Sequence, residues 1–250
     1  MPRFNSFPGK ILSSLAVTLF FTFTVGAAGI CVAQSFVSFD GPLAGTQTGG
    51  LYPPGTFPVA INRWGCIGLV TVDDNGLTHA FVREPNGKYV TVHPPKARVT
   101  FLTGINASGQ VAGSFIDYTA HEYGYIKNTD GSYTLLNPPG STGLISVVGI
   151  NDAGQVAGNA YIGSISQPFF WDPAHPNTYV VISIPGGVGT GVVAINSSGQ
   201  IAGIYFDSSF PRAWLLAKSG RHNRYVRDSG SQPDVRDRDE QVGHYHGKRI

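Results

Sequence analysis

Carboxylates, a few histidines, one cysteine and a set of loop aromatics are the groups in this chain that could do chemistry. Asp73 and Asp74 in "VDDNG" and Asp130 in "NTDG" are hard oxygen donors of the kind calcium takes. A calcium loop would alternate such ligands and close on a Glu after about 12 residues, and that pattern is missing, so these acids read as hairpin-turn residues. Asp117 and Asp207 stand 11 residues after Asn106 and Asn196. They could line one face of a repeated structure, and repeated turn acids are the plainer account. His244 and His246 in "HYH" have metal-ligand chemistry, but they lie in a highly charged stretch and read as solvated. No G-x-S-x-G elbow, H-E-x-x-H pair, cysteine cluster or phosphate-cradling glycine loop is present. The residues therefore point to no catalytic set, no cofactor and no metal, and the chain is not expected to be an enzyme.

What the sequence does carry is a repeat. "GINASGQVAG" begins at Gly104, "GINDAGQVAG" at Gly149, "AINSSGQIAG" at Ala194 and a weaker "AINRWGCIGL" at Ala60. The Asn of each phrase falls at 62, 106, 151 and 196, and a Gly follows three residues later, at 65, 109, 154 and 199. An aromatic follows the Asn by 18 or 19 residues, as Phe81, Tyr125, Phe170 and Trp214. A turn and a β-rich run come next: "NGKYVTVHPP", "DGSYTLLNPPG" and "NTYVVISIPGG". Short apolar runs ending at Asn, tight Asn-x-x-Gly turns, and prolines closing the last run predict about four short antiparallel strands per unit. A period of about 40–50 residues with four strands per unit is the pattern of β-propeller blades. The fold expected is all-β and β-propeller-like, with about four blades of four antiparallel strands. The Asn amide is expected to satisfy backbone groups of its own turn.

The fourth unit lacks its last strand after "AWLLAKSG", while "FVSFDGPLAG" at Phe36 aligns with "YVTVHPPKAR" and "YTLLNPPGST". The N-terminal strand is therefore expected to complete the last blade and remove two open sheet edges. A β array that does not close, or a fragment of a larger ring, is the alternative.

The flanks differ from the repeats. Residues 1–33 combine Arg3 and Lys10 with a long uncharged run ending in "CVA", which reads as an export signal cleaved after Ala33. A retained anchor and a lipidated Cys31 are the competing readings, the latter disfavoured by Ile30 beside the cysteine. Those two cations carry the formal net charge of +2, so the rest of the chain is neutral and leaves no nucleic-acid footprint. Cleavage leaves Cys66 alone, and a lone Cys reads as a small buried hydrophobe. Residues 34–217 form the repeat domain. Residues 218–250 are dense in charge without apolar periodicity, and a disordered tail is expected there.

The units resemble the HAF repeat of secreted bacterial proteins, through His79-Ala80-Phe81, the "GIN…G.VAG" opening and the "PPG" close, over residues 36–217. The resemblance implies a secreted or cell-envelope protein of propeller-like blades and no defined catalytic activity. Leu69 departs from it where Gly113, Gly158 and Gly203 stand in the other units. Tyr123, Pro168 and Arg212 replace the eponymous His, which argues against a repeated His-based metal site.

Function on such a scaffold belongs to what does not repeat. The variable stretches are residues 43–58, 116–124 and 172–178. Tyr52, Tyr118 and Trp171, with Asp117 and Asp207, are the ligand-contact candidates. Aromatic platforms suit a sugar or a peptide. The expectation is a secreted, periplasmic or cell-surface binding scaffold for a glycan, peptide or envelope protein, touching the membrane only through its export signal. A polysaccharide hydrolase or lyase with its site in a propeller channel, and an inactive surface-passenger fragment, are the alternatives.

Overall fold

The structure, a computed structural model, describes residues 36–46, 53–182 and 189–206 and the strand segments 211–219, 222–228, 233–236 and 243–246. The chain divides into two units, Met1–Ser38 and Phe39–Ile250. The expected export signal lies outside the described residues.

Every regular element among the described residues is a strand, and the strands pair in four antiparallel sheets. The first sheet holds β1 (Gly55–Ile61), β2 (Ile67–Val72), β3 (Thr78–Arg83) and β4 (Tyr89–Val92) in that order. The second holds β5 (Ala97–Ile105), β6 (Val111–Asp117), β7 (Glu122–Lys127) and β8 (Tyr133–Leu136). The third holds β9 (Ser141–Ile150), β10 (Val156–Ile162), β11 (Ile165–Trp171) and β12 (Thr178–Val181). The fourth starts with β13 (Gly189–Ile195), β14 (Ile201–Phe206) and β15 (Pro211–Ser219). It continues through β16 (His222–Asp228) and β17 (Pro233–Arg236), while β18 (Gly243–His246) joins the third sheet beside β12.

The repeated phrase is the hairpin between the first two strands of each sheet. The Gly takes a left-handed conformation in all four copies, with φ of 79, 89, 77 and 77° at Gly65, Gly109, Gly154 and Gly199. Its amide donates to the Asn carbonyl, and a side chain at this φ would be strained. The Asn Oδ1 accepts from the backbone amides of its own turn: Trp64 and Cys66, Gln110, Ala153 and Gln155, Ser198 and Gln200. The local capping expected from the sequence is therefore present, and a second bond adds to it. Asn62 Nδ2 donates to the Asn106 carbonyl at 3.1 Å, Asn106 to Asn151 at 3.1 Å, and Asn151 to Asn196 at 3.0 Å. One side chain closes its own turn and clasps the next.

Each first strand also carries a bulge just before the Asn, where the pairing skips Val59, Thr103, Val148 or Val193. A bulge bends and twists its strand, and the same one recurs in each sheet. Among the described residues the sheets pack face to face in chain order, and every extensive contact between sheets joins sequence neighbours. Ala80, Val92, Leu102, Ile105 and Tyr125 fill the space between the first two sheets. Ile126, Leu136, Ile145, Val147 and Phe169 fill the next, and Phe170, Ile182, Val192, Ile201 and Tyr205 the third. Sheets covered on both faces read as near-continuous apolar runs, which is why "VAGSF" and "VAGNA" lack clean alternation.

The pairing corrects the expected aromatic series. Leu69 faces Phe81, Gly113 faces Tyr125 and Gly158 faces Phe169, so Phe169 and not Phe170 is the third member. The glycine makes room for the ring: a Cβ on Gly158 would sit 2.8 Å from Phe169 Cε1, and one on Gly113 2.8 Å from the Tyr125 hydroxyl. The same register puts Gln167, not Pro168, at the place of His79.

Two further expectations meet differences. The "FVSFDGPLAG" segment is not a strand of the fourth sheet; β16 occupies the position beside β15. Its second half instead caps the first sheet as the "HPP" and "NPP" linkers cap the next two. The Tyr89 hydroxyl donates to the Asp40 carbonyl, while the Tyr133 and Tyr179 hydroxyls accept from the amides of His93 and Asn137, which hold the corresponding places. The turn is the same too, with the amides of Ala44, Ala97 and Ser141 donating to the carbonyls of Gly41, Pro94 and Pro138. The segment expected as a disordered tail holds β16, β17 and β18. Strand pairing needs only backbone donors and acceptors at an open edge, so the missing apolar periodicity did not exclude it.

Asn106→Ala removes the clasp and three internal turn bonds at a buried site. It is expected to destabilise the fold by about 2–3 kcal/mol. Asn196→Ala, at the exposed copy, should cost about 1 kcal/mol or less. Urea denaturation of the two variants measures the difference.

Candidate functional site

The strand order puts two kinds of loop at opposite ends of each sheet. The Asn turns and the third-to-fourth strand turns lie at one end. The second-to-third strand hairpins lie at the other, about 20 Å away along a strand of this length.

At the hairpin end, Asp117 Oδ1 accepts from the Thr119 amide at 2.7 Å, the Thr119 hydroxyl at 2.7 Å and the His121 amide at 3.0 Å. These bonds, the Thr119 hydroxyl foremost, hold its carboxyl below the usual range. Asp73 does the same for Asn75 and Leu77, and its Oδ2 meets His79 Nε2 at 3.0 Å. Burial pushes the Asp73 carboxyl up, and the His79 contact with the two amides outweighs it, so the net displacement is downward. Asp130 is likewise lowered, first by the Ser132 hydroxyl. The sequence reading of these acids as turn residues describes what they do. Thr119 bridges Asp117 and His121 through its hydroxyl, but it stands between acid and imidazole, so the His is not oriented by a carboxylate as a base would be. Glu122 moves the other way, raised by partial burial and hydrogen-bonded to Ser114.

The aromatic candidates separate. Tyr118 is 79% exposed at the tip of the β6–β7 hairpin. Trp171 is buried in the second-to-third sheet core, its Nε1 donating to the Pro176 carbonyl at 3.0 Å. That corrects its reading as a platform: the ring packs and closes the β11–β12 turn. Tyr52 and Asp207 lie outside the described residues, so the pairing of Asp207 with Asp117 is not described. Cys66 packs against the first core, where Gln110, Gln155 and Gln200 stand in the other units. Among the described residues, no three His, Cys, Asp or Glu side chains are grouped to hold a metal ion.

Sequence reasoning missed Trp64. It is 63% exposed in the first Asn turn, with Arg63 stacked 4.8 Å from its ring centroid. Its Nε1 donates to the Ala107 carbonyl of the next turn at 2.8 Å, so the indole is anchored at one edge and open on its face. The signal was available: the two residues after Asn are Arg-Trp, Ala-Ser, Asp-Ala and Ser-Ser in the four copies. These are non-repeating positions inside the repeated phrase.

No protein-family model matches the chain, and no curated protein matches it. Among solved structures it is similar to one assigned as TolB from Agrobacterium tumefaciens. The identity is 12%, the TM-score 0.46, and the match covers 80% of this chain and 72% of that one.

The lowered Asp73 carboxyl makes a signed expectation. Its contribution to stability is present above the ordinary carboxylate value of about 4 and fades as pH falls through the depressed one. Asp73→Asn should therefore be less stable than wild type near neutrality, by about 1 kcal/mol or less. The two should converge in strong acid, as read from urea midpoints across pH.

Proposed function

We propose that this chain is an exported, non-catalytic, β-propeller-like protein of the HAF-repeat type that works as a ligand-binding or interaction scaffold in the periplasm or at the cell surface. The observation that carries the reading is the division of labour at the turns. The repeated polar side chains are engaged in holding the architecture, Asn106 and Asn151 in the clasp and Asp73 and Asp117 in their hairpins. The side chains presented to solvent are those that differ between units, above all Trp64 with Arg63 and Tyr118. A flat aromatic face beside a guanidinium suits a sugar ring or a peptide. Blades supply the frame and variable turns supply the contacts.

The test is glycan-array and envelope-extract pull-down screening with the full exported chain, followed by variants. Trp64→Ala is expected to weaken a captured ligand at least about tenfold with little change in melting temperature. Trp171→Ala, which opens a core, should melt well below wild type. Ligand capture insensitive to both Trp64→Ala and Tyr118→Ala would sink the assigned contacts. Turnover of a polysaccharide by the purified chain would replace the scaffold reading with the hydrolase or lyase one.

A further inference from the structure

The interface between neighbouring sheets is built three times from the same parts, and each end of the array presents one half of it. Consider first what a following sheet supplies. Its Ile just before the Asn packs onto the small residue of the preceding copy. Ile105 shares a core with Ala60, a Cβ on Gly104 would lie 3.2 Å from Ile150 Cγ2, and one on Gly149 3.4 Å from Ile195 Cγ2. The residue three before that Ile is also covered by the preceding sheet, Leu102 at 2% exposure, Val147 at 1% and Val192 at 6%. The following Asn supplies the carbonyl that accepts the clasp.

On the first sheet those groups face no sheet. Ile61 is 68% exposed against 9% for Ile105, and Pro58, at the place of Leu102, is exposed. The Asp40–Thr46 segment covers another part of this face, through Thr56, Thr71 and Tyr89. On the fourth sheet the opposite half is open. Ala194, the small residue that would receive an Ile, is exposed, and so is Val193, at 59%, where Val148 packs into a core. Asn196 is exposed where Asn62, Asn106 and Asn151 are buried, and its amide donates to Gln200 within its own turn. Ile204 is 40% exposed at the position where Ser114 and Asn159 accept an amide of the following sheet.

We propose that these two faces are the halves of one interface, and that a second copy of this chain docks head to tail. Pro58 and Ile61 of one copy would cover Val193 and Ala194 of the other, and the Asn196 amide would reach the Asn62 carbonyl. A second copy is the occupant because the interface continues one already made three times, and because the first and fourth sheets of one chain share no extensive contact among the described residues. The contact is heterologous, so it leaves a free half at each end of the dimer and builds chains or rings.

The experiment is sedimentation velocity and light scattering on the full exported chain, with two variants, Ile61→Asp and Val193→Asp. Both positions are exposed, so both variants should fold, which circular dichroism melting checks. Wild type is expected to associate with rising concentration beyond a dimer. Each variant alone should associate at least about 100-fold more weakly, since a buried unpaired carboxylate opposes the contact. Mixed, they should give a 1:1 dimer and nothing larger, because each keeps one intact half. A wild type that stays monomeric to several hundred micromolar overturns the proposal, including the case in which a chain closes on its own fourth sheet. So does association unchanged by both variants, or a mixture of folded variants that forms no dimer.

Discussion

The rest of the structure depends on one primary amide. In the first three units the Asn side chain faces two problems that short hairpins and stacked sheets pose separately. A tight turn leaves backbone amides pointing inward with no strand partner, and the Asn Oδ1 accepts them. A neighbouring turn leaves a carbonyl directed at the same place, and Asn Nδ2 donates to it. Asp has no amide hydrogen to give, and Gln would set its amide one methylene too far from its own turn. Gln110 and Gln155 extend the network, each linking its Asn amide to the third-to-fourth strand turn through Asn128 or Asp172. Buried polar networks of this kind specify a single arrangement because leaving any member unpaired is costly.

That geometry ties local structure to stacking. The turn cannot move relative to the next one without breaking the clasp, and the Ile beside it cannot leave the Ala or Gly it covers. The bulge recurs in each first strand for the same reason, since it aims the Ile and Asn together. Stability in such an array is a sum over units and neighbouring pairs, so a unit in the middle makes two interfaces and a unit at the end makes one. The burial of equivalent residues follows position in the array and not residue type: Asn151 is 6% exposed while Asn196, its copy, is exposed.

Much of this was legible in the sequence, and the gaps have physical causes. The spacing of Asn and Gly located the first turn of each unit because only particular residues take those backbone conformations. The strand count per unit followed from apolar runs between turns. The third aromatic was misplaced by one because "FFW" offers adjacent rings, and only the pairing of Gly158 with Phe169 distinguishes them. The clasp was half visible: a repeated Asn announces a shared role, but a bond to a residue 45 positions away has no local signature. Trp171 looked like a platform because it borders a variable stretch, yet strand alternation turns its ring inward. The N-terminal "FDGPLAG" was recognised as a unit's end, and its linker sits where a linker should. The residues before it form no strand beside β15, where β16 pairs instead, because sequence similarity identifies a piece without saying which edge is free. Leu69 also finds its reason here. Gly41 crosses the leading face of the first sheet so closely that its Cβ would stand 2.8 Å from Leu69 Cδ1. In this unit the glycine is on the covering segment instead of the strand.

The repeated turn is architecture, and the scaffold proposed above builds its recognition on that. The Asn and Gly hold the loop from inside through backbone groups, and the two residues between them differ from copy to copy. In only one of the four copies is the pair Arg-Trp. Trp64 is held by its own amide to Asn62 and by its indole N–H to the next turn, so little rotamer freedom remains to be lost when a ligand covers the ring. Tyr118 sits on a hairpin held in the same manner by Asp117, two residues before Ala120 with its positive φ of 65°. A repeat that solves its hydrogen bonding with fixed residues thus yields rigid, solvent-facing positions in every unit. In the scaffold proposed above, binding follows from which of those positions carry an exposed aromatic or charged side chain.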